Sequence, residues 1–169
     1  MDFLAWLEHT GFATWVRESP SMFAYPGILF LHTVGLGFLV GTNLVVDLRL
    51  LGFASEAPLA PLEGFFPVMW AGFWINATSG TALLIADATT KFANPVFFTK
   101  MALVALSVIN MVLIRRKVLR APGAATGLVP TAGKVLAITS IILWAGAITA
   151  GRLMAYLGPV SGAPGLFNR

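Results

Sequence analysis

Four long apolar stretches, set apart by proline, glycine and charge, constrain this chain more than any other feature. They run over about residues 26–46, 65–86, 95–114 and 134–157, each close to the ~20 residues a bilayer crossing requires. In hydrocarbon every backbone polar group must find its partner inside its own segment, which leaves the helix as the spanning structure for apolar runs of this length. The expected fold is all-α: a polytopic membrane four-helix bundle, one integral membrane domain over residues 1–169. Composition agrees, with 57% hydrophobic and 11% charged residues and a mean hydropathy of +0.84. The breaks fall at Glu56-Ala57-Pro58 through Pro61, Lys91 to Pro95, Pro122-Gly123 through Pro130, and Gly158-Pro159. The Gly- and Pro-rich tail, Ser161 to Arg169, is expected to be poorly ordered.

Ahead of the first span, Phe3 to Val16 interleaves Trp, Phe and Leu with Glu8, His9 and Thr10 at helical spacing. This segment is too short and too polar to span. It predicts an amphipathic interfacial helix over residues 3–18, lying along the membrane surface or folded as a cap over the bundle end. Ser19-Pro20-Ser21 ends it, and Asp2 and Glu8 replace the basic start of a cleavable signal peptide. The net charge of +4 does not point to nucleic acid, because five of the eleven Lys and Arg lie between Arg115 and Lys134 in one connection. By the positive-inside rule that connection and Arg49 face the cytoplasm, which puts both termini outside: periplasmic, for a bacterial inner membrane protein. With no cysteine, disulfides, zinc thiolates and iron–sulfur clusters are excluded.

This topology gathers ionisable groups in one layer. His32 lies ~9 Å below the outer surface on span one; Lys100 and Arg152 lie ~7–9 Å below it on spans three and four. Asp87 closes span two on that side. Charge at such depth is costly unless it is paired, reaches the interface or meets a ligand. One reading is a haem b held by His32 as axial iron ligand, with Lys100 and Arg152 on the propionates and Met101 or Met154 as a second ligand. Gly35, Gly80 and the Gly146 to Gly151 segment would leave room for the flat macrocycle, and His9 could be a ligand only if the N-terminal helix folds inward. The other reading is mutual satisfaction: Asp87 bridging Lys100 or Arg152, and His32 hydrogen-bonded across helices.

Toward the cytoplasmic end Asn43, Asp47 and Arg49 form a second cluster, with Asn110 at similar depth. Asp47 and Arg49 read as a charge pair holding the turn after span one. Asn76 and Thr78 are expected to bond between helices, and Trp70, Trp74 and Trp144 to pack or anchor. No mid-membrane carboxylate suggests a proton or sodium relay, and no residue set suggests hydrolysis.

LHTVGLGFLVG followed by LRLLG, then SGTALL and NPVFFTKMALV, resemble bacterial four-helix membrane proteins of the copper-resistance D-like kind and the haem-binding, four-helix type of protoporphyrinogen oxidase. His32, Arg49, Gly80, Phe97 and Lys100 carry the match, over spans one to three. A Tyr-Pro…Leu-His…Gly…Asp-Leu-Arg-Leu signature is similar to that of a family of small bacterial integral membrane proteins. Where the oxidase often has a further histidine, this chain has Gly52, Phe53 and Ala54. The resemblance implies a four-helix bundle with a haem site at His32.

The leading expectation is a haem b-binding membrane protein in electron transfer, with a periplasmic or membrane-embedded redox partner. Its rival is a cofactor-free accessory or assembly subunit of a larger membrane complex, or a homo-oligomeric scaffold, for which Gly37-xxx-Gly41 and Ala147-xxx-Gly151 favour close helix contact. A porphyrinogen-oxidising enzyme is a third expectation. Membrane lipids are partners in each.

Overall fold

A computed structural model describes residues 2–121 and 127–156. Pro122-Gly123, Leu157, the Gly158-Pro159 break and the tail from Ser161 lie outside the described residues. Among the described residues seven α-helices follow one another: α1 Asp2–Glu8, α2 Gly11–Glu18, α3 Tyr25–Leu51, α4 Phe66–Ala86, α5 Ala88–Ala93, α6 Pro95–Ile114 and α7 Thr131–Tyr156. A 3-10 helix, Ala60–Phe65, leads into α4, and a π-turn, Arg115–Leu119, prolongs α6. α3, α4, α6 and α7 are long and apolar enough to cross a membrane.

Local chemistry sets the helix ends. Asn94 caps α6, its side-chain oxygen accepting the Val96 N–H at 2.9 Å, and Pro95 follows where a first turn needs no donor. α6 therefore begins and ends as its apolar run predicts. α3 runs five residues beyond the expected Val46. It stops at Gly52, whose φ of +105° closes a left-handed cap, with the Phe53 N–H reaching the Leu48 carbonyl at 3.0 Å. The extra turn carries Asp47 and Arg49, both buried rather than spread at a water interface.

α3 packs along α4, α6 along α7, and the two hairpins meet through α3 and α7. Leu39, Val46, Leu50, Met69, Met111 and Trp144 fill the space between them. Phe30, Phe38, Ile109 and Ile142 point outward, as expected where lipid replaces water as solvent. Where α4 begins, Glu63 accepts from Arg115 at 3.0 Å and from Arg120, while the Arg115 guanidinium sits 5.0 Å over the Phe66 ring. These contacts tie the start of α4 to the end of α6. The Arg120 hydrogen bond, with Arg115 beside it, holds the Glu63 carboxyl below the usual carboxylate range.

The N-terminal segment is two helices, not the one expected over residues 3–18. Thr10 breaks it, because its hydroxyl oxygen accepts the Ala13 N–H and so starts α2 afresh. Both helices fold over the end of the bundle where α4 closes and α5 begins. Glu8 Oε1 accepts from the Thr89 backbone N–H at 2.7 Å and the Thr89 hydroxyl at 2.8 Å, and Arg17 donates to the Ala86 carbonyl at 2.9 Å. Ala13 and Val16 are fully buried beneath, while Phe3 and Trp6 stay exposed.

Candidate functional site

His32 is held on its α4 side by acceptors alone. Its Nδ1 lies 3.0 Å from the Asn76 backbone carbonyl and 3.2 Å from Ser79 Oγ. The Ser79 hydroxyl proton goes to the Ile75 carbonyl at 2.5 Å, so Ser79 also presents only an acceptor. The proton of a neutral imidazole therefore sits on Nδ1, and Nε2 keeps a lone pair. Asn76 closes the bond in the other direction, its side-chain amide donating to the His32 carbonyl at 2.8 Å. The expected interhelical role of Asn76 is thus met, and its partner is the histidine. Thr78 instead bonds back to the Trp74 carbonyl of its own helix, at 2.7 Å.

Lys100 lies within electrostatic reach of the His32 ring, and its stem runs over Gly151, where an added Cβ would stand 3.6 Å from Cε. α3 and α6 thus bring the imidazole and one cation into a common layer. Arg152 does not join them closely: it is exposed, with its guanidinium 5.9 Å from the Tyr156 ring. Asp87 bridges neither Lys100 nor Arg152. It pairs with Lys91 at 3.0 Å, one helical turn along its own chain.

The expected haem cradle is filled by the protein itself. A Cβ on Gly35 would stand 2.7 Å from the Asn76 nitrogen and 2.9 Å from the Gly72 oxygen, so Gly35 serves the crossing of α3 over α4. At Gly80 a Cβ would meet His32 Cε1 at 2.9 Å; the glycine makes room for the imidazole, not for a macrocycle. Gly146 faces Leu103. Met101, 49% exposed, is turned away from the layer; Met154 is half-buried. Gly37 and Gly41 lie on the outer face of α3 with open space around them. His32 and Lys100 thus fit an iron ligand and a carboxylate partner, but the glycines do not form a slot.

An apolar groove of about 440 Å³ lies under α2, between Phe12 and Trp15 on one side and Leu31 and Ile75 on the other. It shares Ser79 with the His32 bonds but is not lined by His32.

Near the C-terminal end of α3, Asp47 and Arg49 do not pair. Arg49 turns to the following loop, Nε donating to the Ala57 carbonyl at 2.6 Å and Nη2 to the Ser55 carbonyl at 2.7 Å. Asp47 points into the bundle, where the Asn43 amide donates to its Oδ2 at 2.7 Å and to Ser140 Oγ of α7 at 2.6 Å. Asn110 bonds the Leu136 carbonyl at 2.9 Å, joining α6 to α7. Ser140 carried no sequence signal of its own; only the helix rotation reveals it.

Compared with known protein families, characterised proteins and solved structures, the chain matches none.

Proposed function

We propose that this chain is a haem b-binding membrane protein that passes electrons at the outer side of the bilayer, with His32 as axial ligand through Nε2. The observation that carries the reading is the lock on the imidazole: a helix carbonyl fixes the proton on Nδ1 and leaves Nε2 as donor atom. Metal-ligating histidines are oriented by this kind of second bond. Lys100 would hold a propionate and lower the cost of its charge inside the membrane; Arg152, nearer the surface, would take the other. The bound group would supply reversible one-electron chemistry at iron. The residues of this chain would orient it and tune its potential. The resemblance of LHTVGLGFLVG and NPVFFTKMALV to a haem-binding four-helix family supports the same reading.

A visible spectrum of detergent-purified protein, expressed with ample haem, tests it. A Soret band is expected in the wild type, with loss in His32→Ala and weaker retention in Lys100→Ala. Met101→Leu should leave the band unchanged, because that side chain faces outward. Absence of the band, or a band indifferent to His32→Ala, rejects the reading.

The orientation belongs to the same proposal: inner bacterial membrane, basic connections in the cytoplasm, N-terminal helices in the periplasm. The absence of cysteine makes labelling clean. A single cysteine at Met22 should react with an impermeant maleimide in cells with a permeabilised outer membrane, and one at Glu56 only after lysis. The reverse pattern would invert the topology.

A further inference from the structure

We propose that Asp47, Asn43 and Ser140 form a binding site for one small monovalent metal cation, of the sodium class, at the seam between α3 and α7. The site stands on an unbalanced carboxylate. Asp47 is 1% exposed, and its Oδ1 has no hydrogen-bond partner among the described residues. Its other oxygen receives the neutral Asn43 amide, and the neutral Ser140 hydroxyl stands beside the carboxylate.

No cation of the chain compensates it among the described residues. Arg49, two positions along the helix, is committed to the Ser55 and Ala57 carbonyls. Arg115 and Arg120 are committed to Glu63, and Lys134 is exposed at the start of α7. A buried, uncompensated carboxylate is among the costliest groups a protein interior can hold.

Three agents could balance it. A water would satisfy Oδ1 but leave the charge. A proton on Oδ2, the oxygen that faces Asn43, would remove the charge but leave the buried Oδ1 without a partner. A monovalent cation meets both needs, because it neutralises one carboxylate and takes Oδ1 as a ligand. A divalent ion would replace one unbalanced charge by another of opposite sign.

The neighbours suit this role. Asn43 and Ser140 are 2% and 0% exposed, and the Asn43 amide reaches both Asp47 Oδ2 and Ser140 Oγ. A half-turn of that amide exchanges its nitrogen for its oxygen at nearly the same position, turning a donor into a ligand. The ligand set would then be the Asp47 carboxylate, one amide carbonyl and one hydroxyl: hard oxygens, from two helices. Because α3 and α7 are the contact between the two hairpins, an ion there holds the hairpins together. The proposal is independent of haem, which concerns the opposite end of α3.

Thermal unfolding of the protein in lipid nanodiscs, followed by tryptophan fluorescence, tests it in sodium chloride against choline chloride at equal ionic strength. Trp144, buried one turn from Ser140, is a local reporter. The midpoint should rise saturably with sodium and not with choline. In Asp47→Asn, which keeps the shape and removes the charge, sodium and choline should give the same midpoint. Ser140→Ala should raise the sodium concentration for half-saturation by about tenfold. If Asp47→Asn does not accumulate, radioactive sodium binding to the wild type and Ser140→Ala decides the matter, with weaker binding expected in the variant. Equal midpoints in sodium and choline, or a midpoint that follows pH with no sodium dependence, overturns the proposal.

Discussion

Gly72→Ala is expected to destabilise the bundle by about 1–3 kcal/mol, although alanine is the better helix former. A Cβ at Gly72 would lie 2.7 Å from the Leu39 nitrogen and 2.8 Å from the Gly35 oxygen. Both are backbone atoms of α3, so no side chain can swing aside; the helices themselves must separate. The gain in helix propensity, about 1 kcal/mol, works in the opposite direction and is outweighed. In lipid, tight backbone approach through small residues is a main source of helix association, so the loss spreads along the whole α3–α4 contact. It also reaches the site, because the His32–Asn76 bonds lie one turn beyond the crossing. Gly72→Leu should be worse still. Gly37→Ala and Gly41→Ala are the controls: nothing lies within 4 Å of either added Cβ, so they should be neutral or gain about 0.5–1 kcal/mol. Resistance to unfolding by sodium dodecyl sulfate, read by far-ultraviolet circular dichroism, measures all four. If Gly72→Ala resists as well as Gly37→Ala, the crossing is not as close as described.

The glycine contrast shows what one sequence can and cannot state. That Gly35, Gly37, Gly41 and Gly72 lie on spanning helices follows from apolar runs and breaks alone. Which of them meets a neighbour depends on the rotation of each helix about its axis, and helices apolar on every side carry little information about rotation. Polar residues carry more. Asn43 and Asp47, four apart, had to share a face; so did Asp87 and Lys91, whose spacing makes them partners ahead of the cations on other spans. Asp47 and Arg49, two apart, could not share a face, yet their opposite charges invited a pairing that the helix geometry forbids. His32 was legible as a buried polar group. Its acceptors were not, since the Asn76 carbonyl is a backbone atom and Ser79 becomes an acceptor only by spending its proton on Ile75. The N-terminal break was legible in principle: Thr10 stands where a capping hydroxyl would restart a helix, but the continuous apolar pattern concealed it.

Arg49→Ala is expected to loosen the C-terminal end of α3 and to cost roughly 3 kcal/mol, the sum of two charge-assisted bonds at the low end of their range. Arg49 is 6% exposed and donates along two directions, from Nε to Ala57 and from Nη2 to Ser55. Those carbonyls belong to a loop whose turn already carries a left-handed residue without glycine's freedom, Ala54 at φ +51°. The guanidinium therefore fastens a loop that disfavours its own conformation, whereas the Gly52 cap bonds back only to the Arg49 and Leu48 carbonyls. Lysine keeps the charge but presents one ammonium where the fork made two bonds, so Arg49→Lys should recover less than half of the loss. A loop freed at this end should also become cleavable between Phe53 and Glu56. Limited proteolysis of the detergent-solubilised protein should thus cut Arg49→Ala, spare the wild type and cut Arg49→Lys at an intermediate rate. A wild-type cutting rate in Arg49→Ala would mean that the loop is held by its own backbone, and the arginine would then be a passenger at the end of α3.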